Sequence, residues 1–228
     1  MVSPEVVGLK SPLIGEEDSV YSRILADISS AIFVSGDRLV TTALAKRYST
    51  SINPVREALN RLQGEGLVTV SVNSGARVTY FEYRTMRDVF EILQLIEPYL
   101  MEWFVHEHTV EQRQHLYHLM HQMERLEESE HLSYRILDTQ FHWAMYSQHY
   151  NTHAVELWRK NRLVLQTMHA NLSSNKSRAS QSMVEHRAIM RCLEQRDADG
   201  TLAILQNHIT NSRQYWSRYI DDQPTRQK

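Results

Sequence analysis

A stretch at residues 49–70, STSINPVREALNRLQGEGLVTV, places the strongest constraint on the fold of this 228-residue chain. We expect a helix over residues 54–63, because proline suits a first helical turn and Ser51 or Asn53 can cap it. One apolar stripe then recurs at helical spacing, and it consists of Val55, Ala58, Leu59 and Leu62. Such a helix should pack this stripe against a core.

The opposite side of the same helix carries Asn53, Arg56 and Asn60. Arginine can make paired hydrogen bonds to guanine, and asparagine can make them to adenine. The pattern therefore predicts a helix that is anchored on one face and able to read DNA on the other. One alternative stays open: Arg56 could be a solvated residue paired with Glu57 or Glu65, in a domain that binds protein instead.

Composition favours a compact, helix-rich protein of one large or two modest domains, with 42% hydrophobic residues, 7 glycines and 5 prolines. No apolar run approaches the ~18 residues of a membrane span, and no signal peptide is evident at the N-terminus. The single cysteine, Cys192, cannot form an internal disulfide. We therefore expect a cytoplasmic protein without a membrane partner.

Charge is unevenly distributed along the chain. The formal net charge is −2, yet residues 38–77 contain six basic and two acidic residues, a local net charge of +4. A small basic region on an acidic body is typical of a protein that contacts a polyanion with one part only.

The residues around the helix expected at 54–63, here called the reading helix, predict a winged helix-turn-helix domain at residues 16–80, after a loose arm at 1–15. A helix should begin near Asp18 and continue through the apolar positions to Ile32, with Gly36 as its stop. A shorter helix should begin at Thr41 or Thr42, either of which can cap it. Two strands should follow at 67–72 and 76–80, joined by a turn at 73–75.

The remaining chain, residues 81–222, reads as an all-α antiparallel bundle, followed by a tail at 223–228. Thr109 opens a capping box with Gln112, Asn151 can cap a long helix, and Pro98 predicts a kink. The polar stretch at 173–180 reads as a linker. The six expected helices cover residues 85–108, 109–128, 131–148, 151–172, 182–196 and 199–220.

Several of the 12 histidines lie on apolar stripes of these helices. Asp138 and His142 are four residues apart and share a stripe with Phe141, while His186 and His208 lie on stripes of two later helices. One divalent cation coordinated by all four would satisfy these buried polar groups. A buried hydrogen bond between aspartate and histidine is the open alternative. His118 and His121 lie opposite their helix's apolar stripe and should be solvated.

The segment GDRLVTTALAKRYSTSINPVREALNRLQGEGLVTVSVNSGARV resembles the winged helix-turn-helix of the GntR regulators over about 45 residues. The resemblance implies that the start of the reading helix contacts bases and phosphates, and that Gly75 brings the wing close to the minor groove. One departure is Ile52, where the family often has arginine. The implied DNA-binding residues are Thr42, Ser51, Asn53, Arg56, Asn60, Gly75 and Arg77.

The C-terminal part resembles the FCD effector-binding domain of one GntR branch, through the segments LDTQFH, EHRAIMRCL and LQNHI. The resemblance implies one divalent metal ion per chain, either zinc, nickel or manganese, held by Asp138, His142, His186 and His208. It also implies a small-molecule effector beside the metal, with an organic acid as one candidate. Many relatives place a carboxylate-binding arginine where this chain has Leu93, which weakens that choice.

Together these patterns predict a mainly α protein, with three helices and a β-hairpin followed by a helical bundle. The expected function is that of a bacterial DNA-binding transcriptional regulator, a repressor, acting as a homodimer on a double-stranded operator. Two alternatives remain. One is a helical-bundle metalloenzyme, either a hydrolase or an oxygenase, and the other is a regulator whose metal is purely structural.

Overall fold

The computed structural model describes residues 11–14, 18–71, 75–80, 83–127, 129–170 and 176–221. The chain forms two compact units. The N-terminal unit contains residues 1–81 and 162–173, and the C-terminal unit contains residues 82–161 and 174–228. Most of the expected arm, positions 73 and 74 of the expected turn, and the expected tail lie outside the described residues.

The N-terminal unit has the predicted three helices and hairpin, together with a further short strand. The elements are α1 (Val20–Ser29), β1 (Arg38–Leu39), α2 (Thr41–Arg47), α3 (Ile52–Gly64), β2 (Val68–Ser71) and β3 (Gly75–Val78). A 3-10 helix at Pro12–Ile14 precedes them. Because β1 pairs with β3, the antiparallel sheet has the order β1-β3-β2, with Leu39 opposite Ala76 and Val68 opposite Val78.

The first helix is shorter than its apolar pattern predicted. Ser19 caps α1 by accepting a hydrogen bond from the Ser22 amide, and the Ser22 hydroxyl side chain completes the reciprocal box. The helix ends at Ser29, because Ala31 adopts a left-handed φ of 60° that a helix cannot contain. As a result Ile32 is exposed rather than part of the core.

The starts of α2 and α3 also differ from the prediction. Val40 occupies the N-cap position of α2, so neither threonine caps that helix. The helix α3 begins at Ile52 with Ser51 as its N-cap residue, although the Ser51 side chain makes no capping hydrogen bond. Pro54 is thus the third helical residue. Because the first N–H groups of a helix have no intrahelical acceptor, the missing N–H of Pro54 costs no hydrogen bond there.

The C-terminal unit is the predicted six-helix bundle. The Thr109 and Gln112 capping box is confirmed, and Asn151 accepts a hydrogen bond from the Ala154 amide, as expected of a cap. Pro98 lies inside a continuous helix. None of the described helices is long and apolar enough to cross a membrane. The helices are α4 (Tyr83–Glu107), α5 (Val110–Glu124), α6 (His131–Tyr146), α7 (Thr152–Ala170, of which residues 152–161 belong to this unit), α8 (Lys176–Gln195) and α9 (Ala198–Asp221).

The predicted linker at 173–180 is wrong from residue 176 onwards, where the chain is already helical. The side chain of Arg178 is buried and donates to Glu185 in the same helix and to Ser212 in α9. The polarity of the segment therefore suggested solvent exposure, whereas Arg178 forms hydrogen bonds with buried polar groups.

Two glycines near the end of α3 should respond to alanine in opposite directions. Gly66 has a φ of +77°, so Gly66→Ala should destabilise the N-terminal unit by about 1–2 kcal/mol. Gly64 is helical with open space around it, so Gly64→Ala should stabilise the unit by up to about 1 kcal/mol. Amide hydrogen exchange in α3 measures both changes. Shifts of the same sign in the two variants would contradict the assigned backbone conformations.

Candidate nucleic-acid interface and metal centre

The exposed face of α3 presents the side chains that were predicted to read DNA. Its other face is buried through Val55, Ala58, Leu59 and Leu62, as the apolar stripe predicted. Five of the predicted DNA-binding residues make no side-chain hydrogen bond or ion pair with any residue that the structure describes. They are Thr42, Ser51, Asn53, Arg56 and Asn60, and all five are exposed.

The two remaining predicted residues lie on the wing strand β3. Gly75 is exposed, has a φ of +74° and pairs with Ser71 across the hairpin. Arg77 is exposed too, but its Nη1 donates to the backbone oxygen of Gly36 at 2.8 Å. Part of the Arg77 guanidinium is therefore already engaged within the unit.

Asp27 on α1 fixes the end of α2. Its Oδ2 accepts hydrogen bonds from Arg47 Nε and from the Tyr48 hydroxyl, both at 2.7 Å. Burial, and then the Asp27 carboxylate, raise the pKa of Tyr48, so its hydroxyl stays protonated and keeps donating. The turn between α2 and α3 is thereby tied to α1.

A second group of contacts fixes the end of α3. The Tyr21 hydroxyl donates to Glu65 Oε2 at 2.6 Å, and the Arg61 guanidinium lies 3.8 Å from the Tyr21 ring centroid. Arg61 also pairs with Glu65 at 3.7 Å. Glu65 thus pairs with Arg61, and the alternative in which it neutralises Arg56 is not what the structure shows.

These contacts divide the six basic residues of positions 38–77 into two groups. Arg47, Arg61 and Arg77 are held by groups of their own unit. By contrast, Arg38, Lys46 and Arg56 are exposed and form no ion pair with a described residue. Arg38 and Lys46 were not among the predicted DNA-binding residues, because the charge pattern does not show which basic side chains are paired internally.

The C-terminal unit brings together Asp138, His142, His186 and His208, which lie far apart in the sequence. Each offers one ligand atom, and these atoms all lie within 4.8 Å of one another. The three imidazoles are buried, whereas Asp138 is partly accessible. Asp138 Oδ1 lies 3.5 Å from His186 Nε2. Three helices, α6, α8 and α9, contribute to the cluster.

The chemistry of the cluster suits a divalent metal ion. Burial lowers the pKa of His186 to about 3, with the charge of His208 acting in the same direction, so the His186 ring is neutral at physiological pH. A neutral imidazole is the form that binds a metal. The buried His186 Nδ1 has no hydrogen-bond partner among the described residues. Three imidazoles and one carboxylate fit zinc, nickel or manganese.

Two further carboxylates lie beside the cluster, and neither was among the predicted site residues. Glu185 Oε2 is 2.6 Å from His208 Nδ1, and the buried Glu97 lies 4.0 Å from His142 Nδ1. Burial alone would raise the pKa of Glu185, but its contacts with His208, Arg178 and Asn211 outweigh burial and lower that pKa to about 2. Glu185 pairs with Arg178, whereas Asp138 and Glu97 lie beside the imidazoles of His186 and His142. A divalent cation held by the imidazoles would add positive charge beside these carboxylates.

Only one of these carboxylates had a signal in the sequence. Glu97 is a lone acid on a helix face whose neighbours Leu93, Leu100 and Phe104 are buried, so its burial could have been suspected. It is satisfied by Trp158 Nε1, which donates to Oε1 at 2.9 Å, and by the more distant Tyr146 hydroxyl. Nothing in the sequence around Glu185 indicates that it faces α9.

A groove of about 490 Å³ lies between α5, α6 and α8. Tyr134 and Met183 line it, and they lie about one helical turn before Asp138 and His186 respectively. The groove therefore borders the helices that carry the cluster. Leu93, at the position where many relatives have arginine, is buried.

Family comparison agrees with the two units. Residues 16–78 match the profile of the bacterial regulatory proteins of the gntR family, and residues 88–211 match that of the FCD domain, more than half of the chain. The chain belongs to the GntR family, in its FCD branch. The matched families are those of transcriptional regulators and not of enzymes, which favours the regulator over the metalloenzyme alternative.

Curated relatives match parts of this GntR regulator. The Nta operon transcriptional regulator of Aminobacter aminovorans is 37% identical over 65 residues, 28% of this chain and 31% of the relative. The transcriptional repressor GlaR of Escherichia coli is 32% identical over 81 residues, 36% of this chain and 37% of GlaR. The matched stretches thus span less than half the length of these relatives.

Solved structures share the fold over most of the chain. McbR/YncC of Escherichia coli superimposes with a TM-score of 0.73 at 20% identity, covering 88% of this chain and 96% of that one. A GntR transcriptional regulator from Rhodococcus sp. RHA1 gives a TM-score of 0.76 at 16% identity, with 90% and 97% coverage. At these identities the likeness establishes the fold alone.

Proposed function

We propose that this GntR regulator represses transcription by binding an operator through α3 and the wing, and that an effector bound beside a metal in the C-terminal unit adjusts its operator affinity. The observation that carries the proposal is the convergence of Asp138, His142, His186 and His208 within 4.8 Å, in the same chain as an exposed α3 face whose Asn53, Arg56 and Asn60 side chains bond to no described residue. Such a regulator acts on DNA in the cytoplasm.

The DNA-binding part of the proposal is supported by the difference between the basic residues that are paired within the unit and those that are exposed. Arg56 projects from α3 among Asn53 and Asn60, so it is placed to read bases. Arg38 and Lys46 are exposed and unpaired among the described residues, so they can contact phosphates. Ile52 is exposed at the start of α3 and can contact a thymine methyl group.

Replacing Arg56 should lower both the operator affinity and the preference for particular base pairs. Arg56→Ala should lose about 1–3 kcal/mol of operator binding and relax the preference at one base pair, because a bidentate base contact disappears. The probe is an operator selected from random duplex DNA with the wild-type protein, and affinity is measured by fluorescence anisotropy.

Lys46→Ala is the matched comparison. It should weaken binding to all duplexes alike and reduce the salt dependence by about one unit of slope, as loss of a phosphate contact does. If Arg56→Ala leaves both affinity and base preference unchanged, α3 is not the reading element.

The sensing part is supported by the metal-ligand cluster and by the groove beside it. Four protein ligands leave an octahedral ion two open positions, which oxygen atoms of a small organic acid can fill. Leu93 cannot hold a carboxylate, so the metal would carry more of the recognition than in relatives with arginine there. The guanidinium of Arg178 also lies near the cluster, with its Nη2 3.5 Å from His208 Nδ1.

Protein purified without chelator should contain about one divalent ion per chain, because the ligand set is complete within one chain. His142→Ala and His208→Ala should each lose it, as measured by mass spectrometry of the metal content. His118→Ala is the control, since His118 is exposed on α5 and should leave the content unchanged. An empty wild-type site would remove the metal assignment.

Operator affinity with and without chelator separates a sensing metal from a structural one. A sensing metal predicts a folded, chelated protein whose operator affinity no longer responds to effector. A purely structural metal predicts that chelation lowers the unfolding temperature while the effector response of the folded fraction persists.

We further propose that the protein acts as a homodimer through α4. Ile92, Leu95 and Tyr99 are exposed and recur at the spacing of one helix face, and Leu95 is 76% exposed. The Tyr99 hydroxyl lies 2.9 Å from that of Tyr150, which adds a second exposed aromatic ring to this surface. An apolar stripe of this kind favours burial against a second copy.

Leu95→Arg should shift the protein from dimer to monomer, because a charge would be buried in the apolar contact. Sedimentation velocity measures the change. Val110→Arg, at an exposed apolar residue on α5, is the control and should remain dimeric. A dimeric Leu95→Arg protein, or a monomeric wild type, would contradict this surface.

A further inference from the structure

Glu185 makes the shortest contact described between a candidate metal ligand and a carboxylate outside the ligand set. It lies on α8 immediately before His186, it is buried, and its Oε2 lies 2.6 Å from Nδ1 of His208 on α9. Glu185 is not one of the four residues whose ligand atoms converge. Any effect of Glu185 on the ligand set would therefore pass through His208.

An imidazole has two nitrogens, and only one of them can face a metal ion. When Nδ1–H donates to a carboxylate, the ring is fixed in one tautomer, and the lone pair of Nε2 is left for the metal. We propose that Glu185 is a positioning residue, which accepts a hydrogen bond from Nδ1–H of His208 and holds Nε2 of that ring ready for a divalent cation. This inference rests on the metal-binding part of the proposed function.

The carboxylate of Glu185 is itself held at both oxygens. Arg178 Nη1 donates to Oε2 at 3.1 Å. Asn211 Nδ2 and Gln181 Nε2 donate to Oε1 at 2.7 and 3.1 Å. Three donors from α8 and α9 thus prevent the carboxylate from rotating away from His208, as a positioning role requires.

Arg178 extends the same arrangement to the backbone of α9. Its Nη2 lies 3.4 Å from the backbone oxygen of His208 and 2.5 Å from the Ser212 hydroxyl. The guanidinium also compensates the charge of Glu185, which would be costly to bury alone. Both the ring and the main chain of His208 are therefore anchored to α8.

The test compares zinc affinity in folded full-length protein, measured by competition with a chromophoric chelator. Glu185→Ala should bind zinc about 10–100-fold more weakly than wild type, the usual effect of removing such a partner. Glu185→Gln should fall between them, because an amide oxygen still accepts the Nδ1–H bond but carries no charge. This second variant keeps the fold if the alanine variant fails to fold.

The His208 tautomer provides a readout that a merely structural role would not move. Long-range proton–nitrogen NMR spectra of metal-stripped protein should show His208 protonated at Nδ1 in the wild type, and a larger Nε2–H population in Glu185→Ala. Glu194→Ala is the matched control. Glu194 lies on the same helix but is exposed and accepts a hydrogen bond from the Tyr117 hydroxyl, so this variant should keep the zinc affinity and the His208 tautomer of the wild type.

Three outcomes overturn the inference, and they are distinguishable. If the wild type binds zinc and Glu185→Ala binds it equally well, the positioning role fails while the metal assignment stands. If Glu194→Ala weakens zinc binding as much as Glu185→Ala and neither changes the tautomer, Glu185 is only structural. If the wild type binds no zinc, nickel or manganese, the metal part of the proposed function fails, and this inference fails with it.

Discussion

The burial of three imidazoles in an apolar helical interior is the constraint on which the C-terminal unit depends. His142, His186 and His208 are each at most 5% exposed, and polar rings at such depth must find partners. Partners of sufficient charge come from Asp138, Glu97 and Glu185, on α6, α4 and α8. The relative register of four helices is thereby specified by polar contacts as well as by packing, since a shift of one turn would separate the pairs.

Helical periodicity was sufficient to predict which elements exist, but it did not locate their ends. The six bundle helices and the winged-helix elements follow from apolar spacing that is local in sequence. The errors have two different origins. The segment from residue 176 is helical and buries Arg178 against Glu185 and Ser212, a pairing that its own polarity does not reveal, while α1 stops early because of the backbone conformation at Ala31. The polar stretch therefore led to too little predicted helix, and the apolar stripe led to too much.

The same distinction explains what could be predicted of the two candidate sites. Asp138 and His142 share a helix face, so their spacing alone placed them together. Glu97 was missed because the Trp158 indole that satisfies it lies 61 residues away. In the N-terminal unit, the charge pattern gave the excess of basic residues. It did not show that Arg61 pairs with Glu65 while Arg56 makes no ion pair with a described residue.

A polar core of this kind also bears on how regulation would work in the proposed mechanism. An effector can change operator affinity only by as much as its own affinity differs between two conformations, and a tenfold change needs about 1.4 kcal/mol. The ligand atoms come from three helices, α6, α8 and α9, so an effector that completes the metal's coordination would favour one mutual arrangement of those helices.

Glu185 and Arg178 tie α9 to α8 around His208. Movement of α9 relative to α8 would break several buried hydrogen bonds at once, whereas α6 contributes Asp138 at the accessible side of the cluster. Fewer of the described hydrogen bonds tie α6 to α8, that of the Tyr134 hydroxyl to the Ala179 backbone oxygen among them. In the proposed mechanism we therefore expect an effector in the groove to displace α6 rather than α9.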